Sequence, residues 1–528
     1  MAPAMTSEPR SITSEQLVQF LQSPHAYAER VRTVECVETH ISWVFLTERH
    51  AYKLKKPVKF EFLDFSTPAL RRAACEQEVA LNRRLAGEVY HGVTPITCER
   101  GRLTLDGKGE PIDWVVKMSR LPADRSLDRL ITADTLSPAR LDELSAKLVD
   151  FYVPLSSVML STSDYHAHLE QHVAANRQEL LDKQHGLPSA IVKRIHAAQF
   201  RLLRLAPNLL ADRVCDGRIV DGHGDLRPEH IYFTPSPVVI DCLEFSSELR
   251  QVDVLDDLAF LAIECELLGA GWIGDHILKR YRQQSGDHYP PALLDFYKSY
   301  RACVRAKVAA LRVAQVEQDQ REAVRAEALR HLELADRHAA AIGPPLVLVV
   351  HGLSGSGKST LAERLAASLK IDRLSTDDIR REDNAARVRE AAYGEGAYQA
   401  ANRQRVYDEM LARADAAVRD GHSLILDGTF PTVGLRQRAI DLANERGAIP
   451  LLVRCECSTQ VALERIDARR RAGGSASDAT AEVHQRQLEQ YEADAHGQPR
   501  CVVDTSDGIN SEVEAVLECL RRRYDFFS

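Results

Sequence analysis

The chain has 528 residues, of which 45% are hydrophobic and 27% charged, and this composition excludes a largely disordered protein, a collagen-like repeat and a disulfide-stapled miniprotein. Its length predicts either two large domains or three to four of ordinary size. The net charge is −8, and residues 341–528 hold 25 basic and 29 acidic side chains, so neither half has the strong positive excess typical of nucleic-acid-binding proteins.

The start of the chain, residues 1–10, contains no apolar segment of the kind found in a signal peptide. No run of the sequence approaches the ~18–20 apolar residues that a membrane span requires. The 11 cysteines are scattered and include no C-x-x-C pair, which favours reduced, buried thiols. We therefore expect a cytoplasmic protein with no membrane segment.

The first half begins with β-like patterns and continues with helical ones. Two β-rich runs with a polar break lie between Ile41 and Lys55, which is typical of a hairpin. Apolar residues at helical spacing run from Leu70 to Ala86, and residues 103–121 are again β-like. The rest, up to residue 300, is mostly helical in pattern. These elements predict a small sheet with one helix, followed by a larger helical lobe.

Two aspartates of this half are sixteen residues apart, and each lies beside a β-like run. Asp225 belongs to the sequence His-Gly-Asp-Leu-Arg-Pro-Glu-His, which ends at His230, and Asp241 follows the apolar run 238–240. Carboxylates in such positions can serve as a general base and a metal ligand at one phosphate site.

This pattern resembles the aminoglycoside phosphotransferases and related kinase-like proteins. The resemblance implies a bilobal, protein-kinase-like α+β fold, with Asp225 as the catalytic base and Asp241 as the principal Mg²⁺ ligand. It makes Lys55 the strand lysine that pairs with ATP phosphates, with Lys53 on the same strand face as the competing assignment. Glu78, on the predicted helix, is then the ion-pair partner of that lysine.

One position departs from the family pattern. The second metal ligand is Asn in that family, and His230 stands at its position here. A neutral imidazole is a poor ligand for a hard cation that prefers oxygen. The lobe therefore uses a single Mg²⁺, or gives His230 another task, or binds without transferring phosphate. The resemblance also places an adenine-facing hinge at 113–118 and an acidic helix that braces the catalytic loop at 253–259.

Residues 300–341 are Ala-rich and charge-laced, with apolar residues at helical spacing, which predicts a long helix. The sequence Gly-Pro-Pro at 343–345 ends it, because proline cannot continue a helix. We therefore predict an N-terminal kinase-like domain of residues 1–341 and a C-terminal domain of residues 342–528. The long helix is either a rigid spacer or a packing element of the first domain.

The second domain opens with the apolar run 346–350, which is typical of a strand covered on both faces. Further β-like runs at 423–427, 450–454 and 501–504 alternate with helical segments. This alternation predicts an α/β fold with a parallel sheet.

The sequence Gly-Leu-Ser-Gly-Ser-Gly-Lys-Ser directly follows the first strand and fits the P-loop pattern G-x-x-x-x-G-K-[ST]. Its glycines let backbone N–H groups turn toward phosphate oxygens, and the next helix adds its positive end. Lys358 then reaches the β- and γ-phosphates of ATP, and Ser359 binds Mg²⁺. The nucleotide-binding residues that we expect are Gly352, Ser354, Gly355, Ser356, Gly357, Lys358, Ser359 and Thr360.

Carboxylates follow two of the later β-like runs. Asp377 precedes Arg380 by three residues, and the pair can activate a hydroxyl group and hold an acceptor; the alternative is a helix-capping turn. Asp427 ends the run 423–427, which is the usual place for a carboxylate that orients Mg²⁺ or its water.

Arg465 and Arg469 lie on one helical face, and Gly473-Gly474 follows shortly after. An arginine-rich helix that leads into a glycine hinge suits a mobile lid, which neutralises the transferring phosphoryl group. The alternative is a solvated charged face.

The motifs GLSGSGKST, STDDIR, LILDGTF and ERIDARR occur in this order over roughly residues 345–505 and resemble small P-loop kinases. The pattern is most similar to the 5′-hydroxyl kinase module of polynucleotide kinases, and gluconokinases and zeta-type toxins share it. The resemblance implies Asp377 as general base, Arg380 as acceptor contact, Asp427 on the Mg²⁺ side and Arg469 as lid arginine. Taken whole, the chain resembles bacterial fusions described as bifunctional aminoglycoside phosphotransferase/ATP-binding proteins.

We therefore expect an ATP- and Mg²⁺-dependent phosphotransferase that acts on a small-molecule hydroxyl acceptor at the P-loop. The N-terminal domain is expected to be a second phosphotransferase or a regulatory nucleotide-binding lobe. The alternatives are an ATP-gated binding module with little transfer activity and a polynucleotide 5′-hydroxyl kinase, which the weak charge balance disfavours.

Overall fold

The computed structural model describes residues 12–60, 63–387, 397–471, 481–506, 508–524 and 526. Within these ranges the chain forms two compact units. Unit 1 comprises the described residues up to Met159 together with Asp216–His288, and unit 2 comprises Leu160–Cys215 and the described residues from Tyr289 onward. Among the described residues, no helix is long and apolar enough to cross a membrane.

Within the described residues, β-strands occur in both units. In chain order they are β1 (Glu35–Glu38), β2 (Ser42–Leu46), β3 (His50–Lys55), β4 (Lys59–Phe60), β5 (Leu63–Asp64), β6 (Tyr90–Glu99), β7 (Arg102–Leu105), β8 (Glu110–Ser119), β9 (Ile219–Asp221), β10 (Ile231–Phe233), β11 (Pro237–Val239), β12 (Gln251–Asp253), β13 (Leu346–His351), β14 (Asp372–Ser375), β15 (Leu424–Asp427), β16 (Ile449–Glu456) and β17 (Arg500–Asp504).

The α-helices make up most of the remaining regular structure. In chain order they are α1 (Ser14–Gln22), α2 (Pro68–Ala86), α3 (Leu127–Thr132), α4 (Pro138–Tyr152), α5 (Thr162–Leu180), α6 (Ser189–Leu205), α7 (Pro207–Cys215), α8 (Val254–Leu267), α9 (Gly271–Ser285), α10 (Pro291–Arg312), α11 (Arg321–Ala341), α12 (Lys358–Leu369), α13 (Thr376–Arg387), α14 (Ala397–Arg419), α15 (Val433–Glu445), α16 (Thr459–Arg471), α17 (Ala481–Gln490) and α18 (Ile509–Arg521).

Unit 1 is built on an antiparallel sheet in the order β1-β2-β3-β8-β6-β7. The predicted hairpin is confirmed, with Ser42 of β2 opposite Lys55 of β3. Helix α2 begins where Thr67 caps it and Pro68 fixes its first turn, and it packs across β6 and β8. Burial of the Val79 face of α2 against this sheet brings Glu78 beneath β3.

Unit 2 contains a five-stranded parallel sheet in the order β14-β15-β13-β16-β17. All six residues of β13 are buried, which explains its continuous apolar run. Helix α12 follows β13 directly and holds Lys358, Ser359 and Thr360 in its first turn. The predicted fold class is confirmed, an α+β part with an antiparallel sheet and an α/β part with a parallel sheet.

The predicted long helix over 300–341 is wrong in one respect. The chain leaves the helix after Arg312 and re-enters one at Arg321, so that α10 and α11 pack against each other. The break falls on 313–320, of which 314–320 is mostly exposed and polar and gives a continuous helix no apolar face to bury.

Helices α5–α7 and α10–α11 pack in unit 2, with the parallel sheet. Arg201 of α6 is buried there and donates hydrogen bonds to the Gly343 carbonyl oxygen at 2.6 Å and to Ser423 Oγ at 3.2 Å. The two units are defined by compactness and a domain is defined by its fold and function, so the limits of the units do not test the domain boundary. The predicted domain boundary at residue 341 stays a prediction.

Candidate active sites

The loop that carries Asp225 in unit 1 is held by an aspartate of α8. Asp257 accepts hydrogen bonds from the backbone N–H groups of His223 at 2.6 Å and Gly224 at 3.0 Å, and from the Tyr152 hydroxyl at 2.8 Å. Asp257 is fully buried, and it lies in the acidic segment 253–259, to which the family resemblance assigns this bracing. The backbone of the loop is therefore fixed independently of any ligand.

Asp225 faces a guanidinium group and an imidazole. Arg227 Nε lies 3.0 Å from Asp225 Oδ1, and Arg227 Nη1 lies 2.5 Å from Glu229 Oε1. His230 lies between two aspartates, since its Nδ1 is 3.7 Å from Asp225 Oδ2 and its Nε2 is 3.5 Å from Asp241 Oδ2. The fold thus brings Asp225, His230 and Asp241 together.

Asp241 has a left-handed backbone conformation, with φ +62°, which is uncommon for a residue other than glycine and clusters at functional sites. Its side chain is 43% exposed and accepts a hydrogen bond from Lys53 Nζ at 2.8 Å. Burial would raise the pKa of Asp241, but the positive charge of Lys53 and the hydrogen bond that it donates hold that pKa well below its usual range. Asp241 is therefore ionised at neutral pH.

Two lysines of β3 contact the same glutamate of α2. Lys55 is fully buried, and its Nζ lies 2.7 Å from Glu78 Oε2 and 2.5 Å from Glu244 Oε1. Lys53 Nζ lies 3.0 Å from Glu78 Oε1 and also contacts Asp241. The ion pair between Lys55 and Glu78 is present, but Lys53 is the lysine at the candidate metal ligand. The choice of the phosphate-pairing lysine stays a prediction, and the contact with Asp241 favours Lys53.

The segment 113–118, which the resemblance places at an adenine-facing hinge, lies inside β8 instead. Asp113 is buried there in an ion pair with Arg71, at 2.7 Å, and β8 continues to Ser119. A segment that connects the sheet to the following helices can begin only after Ser119, so the expected hinge position is wrong.

The P-loop of unit 2 occupies residues 352–357, between β13 and α12. Gly352, Gly355 and Gly357 have φ values of +147°, +84° and +80°. A Cβ atom on Gly355 would lie 2.5 Å from the carbonyl oxygen of Ala462. The turn needs glycine at this point both for its backbone conformation and for the close approach of α16.

The P-loop backbone is braced by two later elements. The Ser354 N–H group donates to Gln487 Oε1 at 2.8 Å, and His484 Nδ1 donates to the Ser354 carbonyl oxygen at 2.8 Å, both from α17. The Thr505 hydroxyl, just after β17, donates to the Ser356 carbonyl oxygen at 2.8 Å. These contacts hold the loop in its turned conformation, in which the N–H group of Ser354, an expected nucleotide-binding residue, is engaged by Gln487.

The expected Mg²⁺ ligands lie together at the carboxyl edge of the parallel sheet. Ser359 Oγ donates to Asp427 Oδ1 at 3.3 Å, and Arg373 of β14 donates to Asp427 Oδ2 at 2.8 Å. Burial raises the pKa of Asp427, the charges of Lys358 and Arg373 oppose the rise, and the negative charge of Asp377 adds to it. Two cations and a second carboxylate therefore lie close enough to act on Asp427.

The predicted base and the predicted acceptor contact pair with each other. Arg380 Nη1 lies 2.8 Å from Asp377 Oδ1, and the two side chains are 46% and 30% exposed. Asp377 lies in the first turn of α13 and its N–H group donates to Ser375 Oγ. Because Ser375 and Asp427 are register partners at the ends of β14 and β15, Asp377 is placed at the P-loop edge of the sheet.

The two predicted lid arginines have different surroundings. Arg465 donates to Thr505 Oγ1 at 3.0 Å and to the Thr505 carbonyl oxygen at 2.6 Å, next to Gly357. Arg469 is exposed near the end of α16, and its role as a lid arginine stays a prediction. The expected hinge, Gly473-Gly474, lies outside the described residues.

Sequence reasoning missed several residues that contact the two sites. Thr505 had a usable signal, since it follows a strand at the edge of a parallel sheet where ligands bind. Three others carry no motif, because their partners are distant in sequence: Arg373, His484 and Gln487. Arg227 lies within the quoted sequence 223–230, but the pattern assigns it no role.

Family models match both parts of the chain. A family model described as "Phosphotransferase enzyme family" matches residues 48–294, and one described as "AAA domain" matches residues 347–493. An uncharacterized protein of Mycobacterium bovis is 36% identical over 461 residues, which cover 85% of this chain and 88% of that protein. An uncharacterized protein of Mycobacterium tuberculosis matches with the same figures.

Solved structures of kinases are similar to parts of the chain. A choline/ethanolamine kinase family protein from Mesorhizobium loti is 16% identical, with a TM-score of 0.37, and the match covers 62% of this chain and 98% of that one. A gluconokinase from Sinorhizobium meliloti is 20% identical, with a TM-score of 0.26, over 34% of this chain and 93% of that one.

Proposed function

The chain belongs to the same family as its mycobacterial relatives and is a two-domain phosphotransferase, and we propose that its C-terminal site transfers the γ-phosphate of ATP to a hydroxyl group of a small molecule. One observation carries the proposal: the P-loop, Asp427 and Asp377 converge at one edge of the parallel sheet. A phosphate cradle with a metal-side carboxylate and a second, partly exposed carboxylate is what transfer to a hydroxyl requires.

The nucleotide side of the proposal rests on Lys358, Ser359 and Asp427. The hydroxyl oxygen of Ser359 and the carboxylate oxygen of Asp427 are 3.3 Å apart, and such hard oxygen donors suit Mg²⁺. When bound, Mg²⁺ would neutralise charge on the phosphates. Lys358 begins α12 and adds a positive point charge beside the N–H groups at the N-terminus of that helix.

The acceptor side rests on Asp377 and Arg380. In this structure the guanidinium group of Arg380 occupies an oxygen of Asp377. An acceptor with a polar or anionic group that binds Arg380 would release this carboxylate, which then accepts the proton of the attacking hydroxyl group. Pairing of the two side chains thus keeps the base occupied until an acceptor arrives.

The charges around Asp377 favour a small acceptor over a nucleic acid. Arg380 and Arg381 are both paired with carboxylates, those of Asp377 and Asp378, at 2.8 and 2.9 Å. A polynucleotide needs unpaired positive charge along its backbone, and the chain as a whole is acidic. A compact, polar alcohol fits the site better.

For the N-terminal site we propose a second phosphate-handling centre, in which Asp225 is the base and Lys53 contacts phosphate. Arg227 holds Asp225 in this structure, as Arg380 holds Asp377. Phosphoryl transfer at this site would require Asp225 as the base, whereas a purely regulatory role would not require it.

The test is a screen of a metabolite mixture with γ-labelled ATP and the full chain. We expect a labelled small-molecule product that is lost in Lys358→Ala and kept in the matched surface variant Lys193→Ala. A product lost only in Asp225→Asn would assign transfer to the N-terminal site instead. Absence of any labelled metabolite, or a labelled oligonucleotide in a parallel low-salt assay, would contradict the proposal.

A further inference from the structure

His230 of the N-terminal site has a fixed orientation and a defined tautomer. Its Nδ1 lies 2.9 Å from the backbone carbonyl oxygen of Asp225, and because a carbonyl oxygen only accepts, Nδ1 carries the hydrogen. Its Nε2 lies 3.0 Å from Nη2 of Arg227, which only donates, so Nε2 is the bare nitrogen. The residue is 7% exposed, and packing therefore holds this orientation.

The same arrangement is typical of histidines that bind metal ions. Such a histidine donates one ring N–H to a backbone carbonyl or a carboxylate, which fixes the tautomer and aims the other nitrogen at the ion. The bare Nε2 of His230 lies 3.5 Å from Oδ2 of Asp241, the ionised carboxylate of the site. Two ligands that each lie about 2.1 Å from one ion, at an angle near a tetrahedral or octahedral one, are about 3.0–3.4 Å apart. The observed separation needs only a small adjustment.

A positive group already contacts the bare nitrogen of His230 in this structure. The guanidinium group of Arg227 contacts both the carboxylate of Asp225, at 3.0 Å, and Nε2 of His230. Glu229 lies 2.5 Å from the same guanidinium group and offers it a partner outside the cluster. Arg227 can therefore withdraw toward Glu229 when a cation binds.

We propose that His230 and Asp241 make the N-terminal site selective for a divalent transition-metal cation over Mg²⁺. The inference deepens the proposed phosphate-handling role of this site and rests on it, since phosphate oxygens would complete the coordination. Mg²⁺ demands oxygen ligands, whereas an imidazole nitrogen binds first-row transition metals such as Mn²⁺ and Co²⁺ more favourably. His230, in the place of an oxygen donor, then changes which metal ion the site prefers and does not abolish metal binding.

The test is electron spin-echo spectroscopy of Mn²⁺ bound to the full chain in the presence of tripolyphosphate, which contains no nitrogen. We expect ¹⁴N modulation from a directly bound imidazole in the unmodified protein. The modulation should disappear in His230→Asn and persist in His40→Asn, a matched change at an exposed histidine of the same unit. The P-loop site does not contribute this signal, because its proposed ligands, Ser359 and Asp427, carry oxygen only.

A competition titration supplies the second readout. We expect His230→Asn to lower the preference for Mn²⁺ over Mg²⁺ at this site at least tenfold. Absence of imidazole modulation in the unmodified protein, or modulation unchanged in His230→Asn, would overturn the proposal. If His230→Asn does not fold, the spectrum of the unmodified protein decides alone. Neither measurement requires turnover, so failure of the proposed phosphoryl transfer would be recognised separately in the metabolite screen.

Discussion

Substitution of Gly355 by alanine is expected to abolish tight nucleotide binding at the P-loop. The new Cβ atom would lie 2.5 Å from the carbonyl oxygen of Ala462 and 3.0 Å from two further backbone atoms of that residue. Because these atoms belong to the backbone of α16, no side-chain rotation relieves the overlap. Non-bonded heavy atoms prefer separations of about 3.5 Å, so the loop must move by about 1 Å.

The magnitude follows from two contributions. A residue other than glycine at the φ of +84° found here costs about 1–2 kcal/mol. A shift of about 1 Å in the cradle also weakens hydrogen bonds to the phosphates, which are worth about 1.5–3 kcal/mol each because the acceptor is charged. The sum of about 2.5–5 kcal/mol corresponds to a loss of roughly 70- to 5000-fold in affinity.

The assay is calorimetric titration with a non-hydrolysable ATP analogue, read for the site that Lys358→Ala removes. Gly434→Ala is the matched control, since Gly434 lies in α15 and a Cβ atom added there would meet no described atom within 4 Å, and alanine favours a helix by up to about 1 kcal/mol. Gly447→Ala isolates the conformational cost, because Gly447 has φ +69° and open space among the described residues. An affinity of Gly355→Ala within about threefold of the unmodified protein would refute the reasoning.

Three further outcomes are expected. Lys55→Met should lower the stability of unit 1 by about 3–5 kcal/mol in denaturant unfolding, because it leaves Glu78 and Glu244 charged and buried. Lys53→Met should lower it less, because Lys53 is less buried, and equal losses would contradict this reasoning. Burial lowers the pKa of His196 to about 4, so that between pH 6.5 and pH 4 only the unfolded chain takes up this proton, and the free energy of unfolding should fall by about 1.4 kcal/mol for each unit by which the pH is lowered. His196→Asn should reduce this pH dependence in thermal melts at pH 7 and 5. An unchanged pH dependence would exclude His196 as its cause. Arg373→Met should lower the melting temperature of the nucleotide-free chain and increase the rise in melting temperature on addition of Mg·ADP, because Asp427 loses its neutralising partner. If both quantities are unaltered, Arg373 does not neutralise that carboxylate.

The elements that sequence predicts well here are those fixed by local pattern. The P-loop is a strand, a glycine turn and a helix in direct succession, and each part carries its own signal between Leu346 and Leu369. The hairpin of β2 and β3 is equally local. The break between α10 and α11 escapes prediction because helical spacing continues on both sides of it, and only the exposure of 314–320 distinguishes the turn.

Within the two sites, the sequence alone could not assign roles to residues when those roles depend on burial of the side chain or on partners far away along the chain. Lys53 and Lys55 point to the same face of β3, and only the positions of Glu244 and Asp241 separate them. Arg373 reaches a carboxylate on a neighbouring strand 54 positions later. The contact between Arg373 and Asp427 arises because β14 and β15 pair in parallel, and no short motif indicates that pairing.

The central claim is that Asp377 prepares a hydroxyl group for attack on a phosphate held by the P-loop. The most direct measurement compares Asp377→Asn with the unmodified chain in both ATP-analogue affinity and the rate of acceptor phosphorylation. We predict affinity within about threefold and a rate lowered by about 10²–10⁴-fold, which is the usual contribution of general-base catalysis. Full turnover in Asp377→Asn would contradict the account.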